Sequence, residues 1–340
     1  MKILFFSRLF YPHIGGVEKH VLEVSRLLIK KGYKVTVVTE QNSLKLKLRE
    51  VITGIEIFRI PKLKEGKLRK FQIWKWLWNN YKLMKNADII HCHDVFFWYL
   101  PFRLLFPNKK VYTTFHGYEG YPLKIKDIIM HKISEKLSRG NICIGDFIKK
   151  WYGTMPTYIA YGGVGISNFQ FQISNKTKKE SAVFIGRLDE QTGIKTYVNA
   201  VKLIRKKIPN FTFDIIGDGK LRKEIEKDFK VLGFQKNSGK HFSKYHFAFV
   251  SGYLSISEAM AAKRLVFAVY DNPLKEDYLR MTPFSKYITI SGSVSELVSK
   301  ISFYLDNLKE KEKLVDRAYG WVKKHTWEEM VKIYLKLWEL

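Results

Sequence analysis

Short apolar runs alternate with segments of helical period, and the alternation runs through the chain twice. Lys2-Ile-Leu-Phe-Phe-Ser7 is an apolar run that leads into a glycine-bearing loop, Pro12-His13-Ile14-Gly15-Gly16. Val17, His20, Val21, Val24, Leu27 and Leu28 then recur at helix spacing up to Gly32, and Lys34-Val-Thr-Val-Val-Thr39 follows as a strand. A crossover of that length predicts a parallel pair of strands. The pattern continues with a strand at Gly54–Ile60, a helix near 68–84, a strand at Asp88–His91, an apolar helix near 95–105 and a strand at Lys110–Phe115. A helix near 124–138 and strands at Ile142–Ile144 and Thr157–Ala160 complete the first series. This order predicts an open, doubly wound parallel sheet.

A polar, unpatterned stretch separates this series from a second one. The second has strands at Ser181–Ile185, Phe211–Ile216, Phe247–Val250 and Leu265–Val269, and helices at Ile194–Lys207, from Leu221, and near 255–263. The 340 residues suit two domains of about 150 to 170 residues each. The predicted boundaries are a first Rossmann-like domain at 1–165, a linker at 166–180, a second Rossmann-like domain at 181–322 and a final helix at 323–340. In that helix Thr326 and Glu329 have the spacing of a reciprocal N-terminal cap. Its apolar stripe of Trp327, Met330, Val331, Tyr334, Leu337 and Trp338 needs a docking surface, expected across the domain boundary.

Composition excludes several classes. The N-terminus turns polar too early for a signal peptide, and the longest apolar stretch, Val95 to Phe106, is broken by Pro101 and Arg103. It falls short of the roughly 20 residues that span a bilayer. Cys92 and Cys143 are too few for a disulfide framework, so the expected location is cytoplasmic, with reduced thiols. The net charge of +28 calls for an anionic partner, and nucleic acid, a membrane surface and phosphorylated small molecules all qualify. The basic residues are dispersed and no nucleic-acid-binding motif is present, which disfavours nucleic acid.

Glycine-bearing loops follow several strands, where open α/β sheets bind ligands. Gly15 and Gly16 open the first helix, whose free amides favour an anion, although a plain tight turn explains them equally well. They do not form the GxGxxG dinucleotide fingerprint. Gly186-Arg187-Leu188 puts a guanidinium just past a strand, and Gly217-Asp218-Gly219 repeats the placement one strand later. Ser251-Gly252-Tyr253-Leu254-Ser255 leads into a helix that carries Glu258 about one turn in, suited to hydrogen-bonding a diol or to complementing the helix dipole.

Taken in order, Gly15-Gly16-Val17-Glu18, Phe115-His116-Gly117, Tyr161-Gly162-Gly163-Val164, Gly186-Arg187-Leu188, Gly217-Asp218-Gly219 and Glu258-Ala259-Met260-Ala261 resemble the family 4 retaining glycosyltransferases. The resemblance covers nearly the whole chain. It implies an α/β GT-B fold, two Rossmann-like doubly wound domains facing a central cleft, with the C-terminal helix packing back on the first domain. The implied reaction transfers a sugar, a hexose, from a nucleotide-sugar donor to a glycan or lipid-linked acceptor, with retention, without a required metal and without any other cofactor. It places Gly15 and Gly16 at a diphosphate, Arg187 as a phosphate clamp, Gly217 and Gly219 at the nucleoside and Glu258 at a ribose. His116 takes an active-site role, so that His116, Arg187 and Glu258 are the candidate catalytic residues. Ser251, Gly252, Tyr253, Leu254 and Ser255 complete the expected donor site, and His93, Asp94 and Tyr118 the acceptor side.

Two positions depart from the family pattern. Thr192 stands where a Lys is usual, and Val250 stands where a Glu is usual, before a shortened loop. Lys195 is close enough in sequence to compensate for the first, although solvated helix surface suits it better. The departures support an alternative reading, a catalytically weak nucleotide-sugar-binding or regulatory subunit. His91-Cys92-His93-Asp94 alternates across a strand end, so at most two of its side chains share a face, too few for a closed zinc site. The segment from Lys67 to Lys85 interleaves Leu68, Phe71, Trp74, Leu77, Trp78, Tyr81 and Met84 with basic residues, and Trp76 lies off that stripe. Such a helix suits either a core face with a solvated basic side or an anionic membrane surface, the latter placing the protein peripherally on an inner membrane face.

Overall fold

The computed structural model describes residues 1–13, 15–63, 66, 68–170, 180–235 and 238–340. Positions 171–179 of the expected linker lie outside the described residues, as do Ile14 and Lys67. The chain forms two compact units, Met1–Ala160 with Trp327–Leu340, and Tyr161–Thr326.

The first unit holds strands β1 (Lys2–Ser7), β2 (Lys34–Glu40), β3 (Arg49–Ile52), β4 (Ile55–Ile60), β5 (Ile89–His93), β6 (Lys110–Phe115), β7 (Gly140–Ile144) and β8 (Tyr158–Ala160). Among the described residues they form one sheet in the order β3-β4-β2-β1-β5-β6-β7-β8. Every pairing is parallel except that of the edge strand β3 with β4. The hairpin between these two, unanticipated from the sequence, turns at Thr53 and Gly54, both with positive φ (50° and 83°). Two such residues match the twist of a two-residue hairpin. Central strands bury both faces, as Ile3, Leu4, Phe5 and Phe6 of β1 do, which is why the parallel runs read as continuously apolar.

Two expected helices are each divided. The one near 68–84 consists of Arg69–Asn79 and Lys82–Asn86, and Asn80, at the break, turns its amide back to the Trp76 carbonyl at 2.8 Å. The one near 95–105 consists of Phe96–Tyr99 and Phe102–Leu105, separated at Pro101, whose ring removes a backbone donor. The last helix, Trp327–Trp338, buries the six stripe residues read from the sequence. It belongs to the first unit. Gly140 makes room for it, since a Cβ there would lie 2.8 Å from Leu337 Cδ1. Each large side chain of the stripe contributes about 1.5 to 3 kcal/mol by leaving water.

The second unit has β9 (Ser181–Ile185), β10 (Thr212–Ile216), β11 (Phe247–Phe249), β12 (Leu265–Val269) and β13 (Thr289–Ser291), in the order β10-β9-β11-β12-β13 and all parallel. The helix Ile194–Lys207 has the limits read from the sequence. The helix expected from Leu221 is a short turn, Arg222–Ile225, and the one near 255–263 spans Tyr253–Ala261. The chain enters and leaves this unit side by side: Val164 bridges Thr326, and its N–H donates to the His325 carbonyl at 3.1 Å.

Candidate active site

Among the parallel strands of each sheet the order reverses direction, between β1 and β5 in the first unit and between β9 and β11 in the second. Crossovers leave on opposite faces at such a point, and a crevice opens at the carboxyl ends of the two strands. The residues singled out from the sequence cluster around both points.

In the first unit, Gly15 and Gly16 open the helix Gly16–Lys30. Gly15 has an extended backbone, and the Glu18 carboxylate lies against the side where a Cβ would stand. Gly16 faces open space. Glu18 is nearly buried and pairs with His13 Nδ1 at 2.9 Å. Beyond β5, Asp94 adopts φ +60°, a left-handed conformation that Asp tolerates better than most residues. Its Oδ1 accepts the His116 N–H at 2.8 Å. The surrounding protein raises the Asp94 pKa to about 7, opposed by the His116 N–H and reinforced by Glu119 and Glu18. Solvent still reaches this carboxyl, so hydration offsets part of that rise. His93 Nδ1 lies 2.9 Å from His116 Nε2, and the His20 ring meets His116 edge to face at 4.7 Å. Tyr118 packs edge to face on Phe147.

Beneath these groups lies a buried relay. The Trp338 indole, a donor only, gives its N–H to His91 Nδ1 at 3.1 Å. Neutral His91 therefore carries its proton on Nε2 and donates to Thr114 Oγ1 at 2.7 Å. Thr114 and Tyr334 hydroxyls are 3.0 Å apart, and Tyr334 meets His20 Nε2 at 2.9 Å. Burial lowers the pKa of His20 to about 3 and holds His91 and His93 well below the usual range, with neighbouring imidazoles adding to the effect on the latter two. His91 and His93 share one face of β5, with rings 5.1 Å apart. Among the described residues, no three His, Cys, Asp or Glu are grouped to hold a metal ion.

In the second unit, the loops after β9 and β10 are joined backbone to backbone. Gly186 N–H donates to Ile216 O at 3.1 Å, and Leu188 N–H to Asp218 O at 2.9 Å. Gly217 and Gly219 have φ of +149° and +158°, and a Cβ on either would overlap the carbonyl oxygen of Gly186 or Leu188. These glycines are thus needed by the fold itself, beyond any ligand. Arg187 is 71% exposed, with Nε 3.4 Å from Asp189 Oδ2. Thr192 turns its hydroxyl to the Asp189 carbonyl at 2.7 Å. Lys195 is an exposed side chain held by Glu190 (2.8 Å) and Glu224 (3.5 Å), a surface arrangement.

Past β11, Val250 is fully buried. Ser251 Oγ is enclosed by the Tyr197 hydroxyl at 2.7 Å and the Val269 N–H at 3.1 Å. The helix Tyr253–Ala261 begins after Gly252, but the Tyr253 amide already donates to the Tyr278 hydroxyl at 3.0 Å, and Tyr253 stacks on Tyr278 at 4.0 Å. That amide and the Ser251 hydroxyl therefore serve packing, leaving Leu254 and Ser255 as the half-exposed members of the expected loop. Ser255 Oγ donates back to Gly252 O at 3.0 Å. Glu258 lies in the second turn and is nearly buried.

Residues 14–158 match the model of Glycosyltransferase Family 4, and residues 179–307 match that of Glycosyl transferases group 1. The chain belongs to the family 4 glycosyltransferases. An uncharacterized glycosyltransferase, MJ1178 of Methanocaldococcus jannaschii, is 26% identical over 100% of this chain and 98% of its own. The gpi3 subunit of the phosphatidylinositol N-acetylglucosaminyltransferase of Schizosaccharomyces pombe is 23% identical over 65% of this chain and 52% of its own. Among solved structures, sucrose-phosphate synthase from Thermosynechococcus elongatus aligns over 99% of this chain and 98% of its own, at 15% identity and a TM-score of 0.78. HepE of Anabaena, solved with UDP and glucose, aligns over 100% of both chains at 13% identity and a TM-score of 0.76. The fold of this glycosyltransferase is GT-B, with two Rossmann-like domains.

One charged residue of this family 4 glycosyltransferase was missed in the sequence. Lys275 lies in the first turn of the helix Pro273–Arg280 and is only 6% exposed. Asn272 and Pro273 are a readable helix start, and the Asn272 side chain accepts the Lys275 N–H at 2.9 Å. Lys275-Glu276-Asp277 nevertheless reads as charged surface.

The joined loops also make a prediction. Gly217→Ala should lower the stability of the second unit by on the order of 3 kcal/mol, from a forbidden φ and overlap with a carbonyl. Gly16→Ala, with open space around it, should change little. Urea midpoints for the two variants check this, and equal midpoints would refute the close approach.

Proposed function

We propose that this glycosyltransferase moves a hexose from a nucleotide-sugar donor to a glycan or lipid-linked acceptor, with retention of anomeric configuration and without a required metal. The observation that carries the reading is the second unit's switch point, where the exposed Arg187 guanidinium follows β9 and Glu258 rides on the helix after β11. A cation there favours the charge that grows on a departing diphosphate, and a carboxylate is suited to a ribose diol. His116, ordered by His93 and by the Asp94 carboxylate on its amide, is the polar group offered for the reacting sugar. The UDP in the HepE structure and the lipid substrate named for the gpi3 relative support a nucleotide donor and a lipid-linked acceptor. A panel of nucleotide sugars tested by thermal shift identifies the donor, since a ligand at 100 times its dissociation constant stabilises by about 2.7 kcal/mol. Transfer is then followed in a chelator, with the product anomer read by NMR. A panel without any shift refutes the donor reading. Activity lost in chelator and restored by manganese refutes metal independence, and an inverted product refutes retention.

A second reading, a weakly catalytic binding or regulatory subunit, draws on the buried Val250 and the inward-turned Thr192 hydroxyl. Turnover by the purified chain alone decides against it.

The same reading places the protein on an anionic membrane through the helix Arg69–Asn79. Ile73, Leu77 and Met84 face the core, and Trp76, the off-stripe residue, packs against it rather than facing outward. Leu68, Phe71, Trp78 and Tyr81 are 42% to 68% exposed, among the exposed Lys70, Lys75 and Lys82. Arg69 is already paired with Glu40. Among the described residues no helix is long and apolar enough to cross a membrane. Replacing Lys70, Lys75 and Lys82 by Glu should weaken binding to phosphatidylserine vesicles about a hundredfold, at about 1 kcal/mol per charge. Wild-type protein that floats equally with neutral and anionic vesicles would end the membrane reading.

A further inference from the structure

Lys275 is buried, yet its ammonium is poorly satisfied. Nζ donates to the Ser251 carbonyl at 2.6 Å and lies 4.1 Å from the centre of the Tyr278 ring. Among the described residues these are its only close partners, and no carboxylate pairs with it. An ammonium has three donors, so burying it with one hydrogen bond and a ring face is costly unless something else completes the site. Its location suggests what does. Ser251 follows β11 on one side of the switch point, and Arg187 and Asp189 follow β9 on the other. Lys275 is close enough to feel the charges of all of these loops: Asp271 and Asp189 favour its charged form and Arg187 opposes it. Two cations that repel one another in the free protein, Arg187 beyond β9 and Lys275 beyond β12 with its Nζ at the Ser251 carbonyl past the intervening β11, form a site suited to an anion.

We propose that Lys275 is a donor-site cation that joins Arg187 in receiving the diphosphate of the nucleotide sugar. The inference rests on the nucleotide-sugar reading of this unit and adds to it a residue that the motifs read from the sequence do not include. It also accounts for a protein that manages with Thr192, whose hydroxyl is turned to a backbone carbonyl. Burial lowers the Lys275 pKa to about 7, partly offset by Asp271, so near neutral pH the free protein holds it only partly charged. A bound dianion stabilises the charged form. Diphosphate binding should therefore take up a proton, and affinity should fall as pH rises above 7.

The test is calorimetric titration of the full chain with UDP, GDP and pyrophosphate at pH 8, in two buffers of different ionisation enthalpy. Wild type should take up close to one proton per diphosphate bound. Lys275→Met, which keeps the aliphatic volume, should bind about ten- to a hundredfold more weakly and take up none. Uridine, which lacks phosphate, should bind both alike. Wild-type binding without proton uptake overturns the inference, whether or not the variant folds. So does a folded Lys275→Met that binds as wild type does, and if Arg187→Ala still loses affinity in that case, the nucleotide-sugar reading survives alone. No binding of any diphosphate by wild type overturns both.

Discussion

Between pH 7 and pH 5 the first unit should lose about 2 kcal/mol of stability through His20 alone, a substantial part of what a domain possesses, with His91 and His93 adding to the loss. His20, His91 and His93 are each no more than 2% exposed, and their pKa values are lowered by burial, to about 3 for His20. Unfolded, each titrates near 6.5. Below that pH the unfolded chain binds protons that the folded chain refuses, so stability falls as pH falls, by about 1.4 kcal/mol per residue and pH unit. The relay explains the refusal. A second proton on His91 would have to sit on Nδ1, facing the Trp338 N–H that now donates to it. His116, half exposed, is shifted the same way but with water to soften the effect. Asp94, whose pKa is raised to about 7, takes up a proton in the folded chain over the same window and offsets part of the loss, so Asp94→Asn serves as the background in which the imidazoles are read alone. Urea midpoints followed by circular dichroism across this range measure the loss. A midpoint that stays level would mean that the cluster charges within the native state.

Glu258→Gln should weaken nucleotide binding about ten- to a hundredfold, since a hydrogen bond to a charged group contributes roughly 1.5 to 3 kcal/mol. Gln is preferred to Ala because Glu258 is nearly buried, and an Ala would add a packing loss to the binding loss. Arg187→Ala should behave differently. Its guanidinium is largely exposed, so removal leaves the core untouched, while charge that grows as the diphosphate departs loses its counterpart. Turnover should fall more than donor affinity does. Calorimetry with the nucleoside diphosphate and rates at saturating donor separate the two effects. Variants that bind and turn over as wild type does would rule out this assignment of the switch point.

The parallel strands and long helices were legible because burial on both faces leaves continuous apolar runs, and one-sided burial leaves a helical stripe. Ile194–Lys207, β12 and the final helix's stripe illustrate this. The edge strand β3 was not, since Arg49-Glu-Val-Ile52 is half exposed and its pairing is set by the turn rather than by apolar content. Pattern alone also misjudged direction: Trp76 looked outward and lies inward, and Lys275 looked solvated and is buried. A side chain's facing depends on neighbours distant in sequence, which periodicity does not register. The glycines show the same limit. Gly217 and Gly219 were read as room for a ligand, and they are at least as much room for the backbone of Gly186 and Leu188.

Because Trp327–Leu340 completes the first unit, residues Tyr161–Thr326 form an uninterrupted insertion within it. On the ribosome that insertion emerges whole while the residues that cap the β1–β8 sheet are still being added. Until they arrive, the Trp338 and Tyr334 partners of His91, Thr114 and His20 are missing, and the half of the protein made first stays unfinished. The later half can mature before the earlier one, the reverse of the order in which they are made.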